Sequence, residues 1–346
     1  MDGTPEIDEL LARLEQRAGS DLHIKYGARP FGRIDGTMEA LDEAAVGDAA
    51  MARYIERVIP ADLRDRVARG QETECSYHSP GVGRFRISAF RQRGELSMVM
   101  RRLADAIPTV DELGLPAAVG KLSDLQRGLV LVSGATGSGK STTLSAIVGR
   151  INATRREHII TIEDPIEYVH SDDQAVVSQR EIGSDTPSFT EALRRALRQD
   201  PDVILVGELR EPEAVSTAIR AADTGHLVLS TVHTNSAAES ITRLIEFFPE
   251  AERDLMRQMF VASLQAVVSQ RLVPKIGGGR VAAIEILFAS PAIGNMIREG
   301  KTSQVASAIQ TGGKQGMIDM DASIRELYEE GKVDARAAYD KAIDKE

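Results

Sequence analysis

Cysteine is almost missing from this chain: Cys75 stands alone among 346 residues. One thiol cannot close an internal disulfide or build a tetrathiolate metal site, so a disulfide-stapled fold and a zinc module are excluded, and Cys75 reads as a half-buried strand residue. Long apolar runs are missing too. None approaches the roughly 18 to 20 residues that a membrane-spanning helix requires, and the first residues, Met1 to Glu6, lack the basic and apolar regions of a signal peptide. The chain is therefore expected to stay in the cytosol. Basic excess is absent as well, because 42 Lys and Arg face 52 Asp and Glu for a net charge of −10. Neutralising nucleic-acid phosphates needs a concentrated basic surface, so no stable nucleic-acid binding is expected beyond what a local basic face could support. Internal repeats and low-complexity tracts are not found. What remains is 42% hydrophobic and 27% charged, the balance of ordered globular domains, in a chain long enough for two of them.

Periodicity divides the chain. Ile7, Leu10, Leu11 and Leu14 recur at helical spacing, and short strand-like pieces follow at 21–24 and 32–34. Segments 74–77 and 85–90 flank the turn 79–83, and Phe85, Ile87 and Ala89 alternate with Arg84, Arg86 and Ser88, as in a hairpin with one apolar and one basic face. The pattern breaks at Ile107-Pro108-Thr109 and again at Pro116. We assign residues 1–102 to a small α+β domain, 103–115 to a linker and 116–346 to a second domain. In that domain apolar strands at 129–133, 159–162, 203–206 and 227–232 alternate with helices, which implies a mostly parallel, doubly wound sheet. Ser188 and Glu191 form a capping box for a helix with Phe189, Ala192, Leu193, Ala196 and Leu197 inward and Arg194, Arg195 and Arg198 outward. The last hundred residues read as a mainly helical appendage, with turns at Gly277-Gly278-Gly279 and Gly312-Gly313.

Residues 134–141 match G-x-x-x-x-G-K-[ST] between an apolar strand and an amphipathic helix, the setting in which this motif binds phosphate. Gly134, Gly137 and Gly139, with Thr136 and Ser138, let backbone N–H groups curve around the phosphates at a helix N-terminus. Lys140 supplies a mobile positive charge, Ser141 is the expected Mg²⁺ ligand, and Thr142 follows in the first helical turn. A phosphate-binding loop alone is compatible with a GTPase, a kinase or a motor. Three further strand ends carry polar groups. Strand 159–162 runs into Glu163, Asp164 and Glu167. Strand 203–206 runs into Gly207-Glu208, where Glu208 takes over the acidic role from the usual Asp and organises Mg²⁺ or its water. Strand 227–232 ends at His233, whereas His226 precedes it, and neither histidine has metal-ligand spacing.

Four motifs in this order, GATGSGKSTT at 134–143, TIEDPIEY at 161–168, DPDVILVGELRE at 200–211 and TGHLVLSTVHTNSA at 224–237, resemble the Walker A, Asp box, atypical Walker B and His box of the PilT-type twitching-motility ATPases of the secretion-ATPase superfamily. The resemblance runs over nearly the whole chain. It implies a RecA-like P-loop ATPase domain, α/β in class, behind a smaller PAS-like α+β domain, with ATP and Mg²⁺ bound between domains at a subunit boundary of a homo-hexamer. It also implies that Glu167 polarises the attacking water, that His233 senses the γ-phosphate, and that arginines among Arg84, Arg86, Arg91, Arg101 and Arg102 reach the phosphates. The implied function is ATP hydrolysis driving type IV pilus retraction, through an inner-membrane platform protein that brings the enzyme to the cytoplasmic face of the membrane. Extension and secretion ATPases share the four motifs but usually carry a further N-terminal domain and a tetracysteine insertion. Residues 292–299, AIGNMIRE, resemble the AIRNLIRE signature of retraction enzymes, departing at Gly294 and Met296. An accessory retraction ATPase and a RecA-like nucleic-acid motor working through Arg194, Arg195 and Arg198 are the alternatives.

Overall fold

A computed structural model describes residues 4–103 and 106–345; Ala104 and Asp105, within the expected linker, lie outside the described residues. The chain divides into two compact units. One comprises the residues up to Ala106 together with Pro165–Tyr168, and the other Ile107–Asp164 with the residues from Val169 onward.

In the first unit, helix α1 (Ile7–Gln16) places Ile7, Leu10, Leu11 and Leu14 on one stripe, and all four are fully buried. Strands β1 (Asp21–Lys25), β2 (Phe31–Ile34) and β3 (Thr37–Ala40) follow, then helices α2 (Asp48–Val58) and α3 (Ala61–Ala68), then β4 (Thr73–Ser79), β5 (Gly83–Gln92) and β6 (Glu95–Arg102). The six strands form one antiparallel sheet in the order β3-β2-β1-β6-β5-β4. The two-faced hairpin is present: Phe85, Ile87 and Ala89 are buried, and Arg84, Arg86 and Ser88 alternate with them half-exposed. Asp8 ties three elements together. Its Oδ1 accepts from Tyr77 Oη at 2.8 Å and Ser79 Oγ at 2.6 Å, and its Oδ2 from Arg57 Nε at 3.0 Å. Burial alone would raise this carboxyl's pKa, but the three donors outweigh burial and hold it below the ordinary 3.8. Burial, reinforced by the bond to Asp8, pushes the Tyr77 phenol up to about 12.

In the second unit, α4 (Ala117–Gly120) leads into β7 (Gly128–Ser133), and α5 (Lys140–Thr154) precedes β8 (His158–Glu163) and β9 (Val176–Glu181). Helix α6 (Phe189–Ala196), β10 (Val203–Val206), α7 (Pro212–Asp223), β11 (Leu227–Val232), α8 (Ala237–Glu246) and α9 (Glu250–Ser263) continue the alternation. Ser188 caps α6 by accepting from Glu191 N. The chain then forms β12 (Leu264–Pro274) and β13 (Arg280–Phe288) before α10 (Pro291–Arg298), α11 (Val305–Thr311), α12 (Met320–Glu329) and α13 (Ala335–Lys341). The sheet order is β13-β12-β7-β11-β10-β8-β9, parallel from β12 to β9, with β13 antiparallel at one edge. Its central strands are buried on both faces. Leu129 and Leu131 of β7 pack in a layer with residues of α6 to α10, whereas Val130 and Val132 pack in a layer with residues of α5.

The expectation of a mainly helical final hundred residues is corrected at residues 264–288, which form two sheet strands. Strand β12 is buried on both faces over most of its length, so its apolar residues Ala266, Val267, Val268, Leu272 and Val273 do not alternate with polar ones, and with Ser269-Gln270-Arg271 between them they show no period of two to distinguish a strand from a helix. The turn at Gly277-Gly278-Gly279 joins the two strands, all three glycines having positive φ. Met320, Ile324 and Leu327 of α12 pack against Val273 and Val281 of this hairpin.

Replacing Asp8 with alanine leaves the buried Ser79 hydroxyl and the Tyr77 phenol without their acceptor, and is expected to destabilise the first unit by about 1–3 kcal/mol. Because the folded pKa is depressed, the contribution is fully present above 3.8 and is lost as the pH falls through the folded value. Thermal midpoints of wild type and Asp8→Ala should therefore differ at neutral pH and converge in acid; equal midpoints at pH 7 would refute the role given to Asp8.

Candidate functional site

Register places the chemistry along one edge. Ser133 of β7 pairs with Val232 of β11, and Val206 of β10 pairs with both Ser230 of β11 and Ile162 of β8. The segments that leave these strands therefore start from the same carboxyl edge of the parallel sheet, where open α/β sheets present their ligand crevice.

The loop between β7 and α5 is shaped by its contact with β12. Gly134, Gly137 and Gly139 all have positive φ, and a Cβ on Gly134 would lie 2.5 Å from the carbonyl oxygen of Gln270. Only glycine tolerates both demands. Gly139 is the N-cap of α5, so the loop feeds directly into a helix N-terminus with its outward N–H groups and positive dipole end. Lys140 is buried, with Nζ donating to Gly134 O at 2.8 Å and Ala135 O at 3.0 Å. Thr136 and Gly137 are exposed at the loop's crest, and Ser141 and Thr142 are half-buried. The Ser138 hydroxyl is buried and makes no hydrogen bond, a donor left over in a loop of backbone N–H groups, which suits a polyanion. An Mg²⁺ that arrives with a nucleotide needs oxygen ligands instead. Ser141 offers a hydroxyl, and among the described residues no group of three or more His, Cys, Asp or Glu gathers as a resident cage.

Beyond β10, Glu208 is 9% exposed and its Oε2 is gripped from two sides, by Arg210 Nε at 2.6 Å and His233 Nε2 at 3.3 Å. His233 follows β11, which lies between β7 and β10, so it stands between the loop strand and the acid. Gly207 is small for a packing reason: a Cβ there would sit 3.2 Å from Ile162 O and 3.4 Å from the Phe189 ring. His226 is separated from this edge by the whole of β11, and its Nδ1 lies 2.9 Å from Ala221 O at the end of α7. Glu163 Oε1 accepts from Thr161 Oγ1 at 2.6 Å and Gln179 Nε2 at 3.0 Å.

The remaining expected residues belong to the first unit. Half-buried Glu167 lies in the segment Pro165–Tyr168 that clusters there. Arg86 pairs with Glu74 at 2.6 Å, Arg101 with Asp21 at 2.8 Å and Arg102 with Glu15 at 3.5 Å. Arg84, Arg86, Arg101 and Arg102 share one end of the β5–β6 ladder, where Arg86 is opposite Arg101 and Phe85 opposite Arg102. Arg91 sits at the other end, donating to Gly94 O and Ala68 O. Five residues of strand, roughly 17 Å, separate it from Arg86, so the five arginines do not form one cluster. The outward arginines of α6 are paired too, Arg194 with Glu213 and Arg195 with Glu191.

Two residues at this edge escaped sequence reasoning. Arg210 is close enough to Glu208 in the chain to have been suspected. Gln270 lies on β12, 4% exposed, with Nε2 donating to Ser138 O at 2.6 Å and Oε1 accepting from Thr143 Oγ1 at 2.8 Å; more than a hundred residues separate it from the loop, and no local signal announces it.

Residues 7–280 match the family model described as Type II/IV secretion system protein. The chain is 45% identical to the type IV pilus retractation ATPase PilT of Pseudomonas aeruginosa, over 97% of this chain and 98% of that protein. To the type IV pilus ATPase PilU of the same organism it is 39% identical, over 98% and 90%. The crystal structure of the pilus retraction motor PilT with bound ADP superposes with a TM-score of 0.92 at 42% identity, covering 99% of this chain and 98% of that one. A full-length match of this quality, on a sheet edge carrying a phosphate-binding loop beside a clamped acid, makes the chain a member of the Type II/IV secretion system protein family, with a RecA-like ATPase domain behind a smaller N-terminal domain.

Proposed function

We propose that this protein is the ATP-hydrolysing motor of type IV pilus retraction. The observation that carries this reading is the shared carboxyl edge, with the glycine-shaped loop, buried Lys140 and the His233–Glu208–Arg210 cluster on adjacent strands. The full-length likeness to retraction ATPases supplies the direction. In this reading N–H groups of Gly134 to Thr142 and the Lys140 ammonium bind the phosphates of ATP, and Ser141 and Glu208 hold Mg²⁺ or its water. The ion, when bound, neutralises charge on the transferring phosphoryl group. Glu167 orients the attacking water as general base. His233, in hydrogen-bond reach of Glu208, reads the γ-phosphate and passes its presence to the acid. Arg84, Arg86, Arg101 and Arg102 form the candidate set for charge stabilisation at the phosphoryl group, which an arginine can accelerate by about 10³ to 10⁵; Arg91 is assigned to holding the hairpin tip against α3.

The proposal includes a homo-hexamer, a PAS-like first domain, a joint within the linker 103–115, of which the part from Ile107 onward packs with the second unit, and docking on an inner-membrane platform protein from the cytoplasmic side. Glu167 belongs with the first unit while the strand before it belongs to the second, so hinge motion would carry the general base and couple hydrolysis to movement. Gly294 favours a second reading. Its hypothetical Cβ would lie 2.9 Å from Val261 Cγ1 on α9, so the helix that bears the retraction signature packs tightly inside its own chain where the signature has arginine. An accessory retraction ATPase with little turnover of its own would accommodate that change.

Three measurements test the proposal. Steady-state ATP turnover should fall by about 10² to 10⁴ in Glu208→Gln and in Glu167→Gln, and become undetectable in Lys140→Ala; unaltered turnover in all three would sink the assignment. Tight ATP binding with negligible wild-type turnover would select the accessory reading. Light scattering should give a mass six times that of the 37.5 kDa chain, and a monomer at all concentrations and nucleotide states would contradict the ring.

A further inference from the structure

The side chain of Gln270 uses both ends of its amide along one line, between the phosphate-binding loop and the helix that follows it. Its amide nitrogen holds Ser138 O at 2.6 Å, its amide oxygen takes the Thr143 hydroxyl at 2.8 Å, and its Nε2 would lie 2.7 Å from a Cβ on Gly139. Its neighbour Ser269, opposite Ser133 on β7, accepts from the Ser133 hydroxyl at 2.8 Å, so the two strands are pinned just before the loop begins. In a trans peptide the C=O and the following N–H point in opposite directions. Holding Ser138 O toward β12 therefore aims the Gly139 N–H away from it, and anchoring Thr143 sets the first turn of α5 relative to the loop. A buried amide carries no net charge and has well-defined donor and acceptor ends, so it fixes orientation without competing for an anion.

We propose that Gln270 is a positioning residue for the nucleotide: it holds the Ser138–Gly139 peptide and the N-terminus of α5 in the arrangement that receives the phosphates. The proposal rests on the reading of Gly134 to Thr142 as the nucleotide site. Loss of preorganisation weakens nucleotide binding, whereas the groups that act on the attacking water are untouched, so the effect falls on KM and nucleotide affinity rather than on kcat.

The test uses the full chain with ATP turnover and a fluorescent ADP analogue. Gln270→Met, near-isosteric without the amide, should raise KM and the analogue's Kd about tenfold, the equivalent of two net hydrogen bonds, with kcat within about threefold. Gln270→Glu keeps the acceptor for Thr143 but turns a carboxylate oxygen toward Ser138 O, and should lose at least as much affinity. Thr143→Val should cost about threefold, with no further loss when added to Gln270→Met, because both remove the same brace. Unchanged KM and Kd in Gln270→Met, or a fall in kcat alone, overturns the proposal; should Gln270→Met fail to fold, Gln270→Glu and Thr143→Val decide by the same criterion. Lys140→Ala separates the two levels. If it abolishes analogue binding while the Gln270 variants bind normally, only the role of Gln270 falls, and if it too binds normally, the nucleotide reading falls with it.

Discussion

The close approach of a loop backbone to a neighbouring strand governs the rest of this architecture. Between β7 and α5 the chain passes so near β12 that a methyl group on Gly134 would meet Gln270 O at 2.5 Å, and one on Gly139 would meet Gln270 Nε2 at 2.7 Å. The loop's shape is therefore imposed by the sheet. Loop glycines free in solution would lose much backbone entropy on ordering; here the rigid β7–β12 pairing removes that freedom before any ligand arrives, and N–H groups and a helix N-terminus are left facing one way. Placing β12 beside β7 is what the apolar second half of the domain accomplishes, and the β12–β13 hairpin is in turn covered by α12. A stretch far from the loop in sequence thus decides whether the loop can work.

A second constraint is the accommodation of acids in a buried polar edge. Removing a carboxylate from water is costly unless donors replace the lost hydration, and each acid here has them. Glu208 has Arg210 and His233, Glu163 has Thr161 and Gln179, and Glu285 on β13 accepts from Ala237 N, at the first turn of α8, at 2.7 Å. Their environments differ in consequence. Burial raises the Glu285 pKa above the ordinary 4.5, and the bonds from Ala237 N–H and the Ser269 hydroxyl only partly oppose it, so this carboxyl is a structural tie between β13 and α8. Glu208 has a guanidinium 2.6 Å away and lies beside a histidine whose side chain is 43% exposed. Of the two, Glu208 is the acid with a solvent-facing partner.

What the sequence disclosed was whatever has a short range. The stripe of α1, the alternation in β5, the serine cap at Ser188 and the loop from Gly134 to Lys140 each depend on residues within a few positions of one another, and the structure bears them out, except that the Glu191 carboxylate turns to Arg195 rather than back to Ser188 N. His233 at a strand end was legible for the same reason. The β12–β13 hairpin was not, because strands covered on both faces lose their alternation. Gln270 was not legible because its partners, Ser138 and Thr143, are brought to it only by the parallel pairing of β12 with β7. The arginines fell between these cases. Their basic face was visible in the alternation of Arg84 and Arg86 with apolar residues, but the distance along the ladder that sets Arg91 apart from Arg86 and Arg101 depends on where the hairpin turns.

The two glycines that depart from familiar patterns have a common explanation in packing. At 207, where a Walker B strand ordinarily ends in aspartate, the β8 backbone and the Phe189 ring approach within 3.2 and 3.4 Å of a would-be Cβ. A side chain there would require β8 or the Phe189 ring to give way slightly, next to the pairing that aligns Ile162 with Val206 and brings the loops of both strands to one edge. The next residue is Glu208, whose side chain reaches Arg210 and His233. At 294 the close neighbour is Val261 of α9, a β-branched side chain with little freedom to retreat. Gly294 costs α10 about 1 kcal/mol of helix propensity, which the buried contacts of Ile293 and Ile297, each 1% exposed, are large enough to offset. In both places glycine leaves room for a close neighbour, the β8 backbone and the Phe189 ring at 207 and the Val261 side chain at 294. The difference is that at the sheet edge a buried acid remains beside Gly207 with its own donors, whereas at α10 the close contact is met by packing alone.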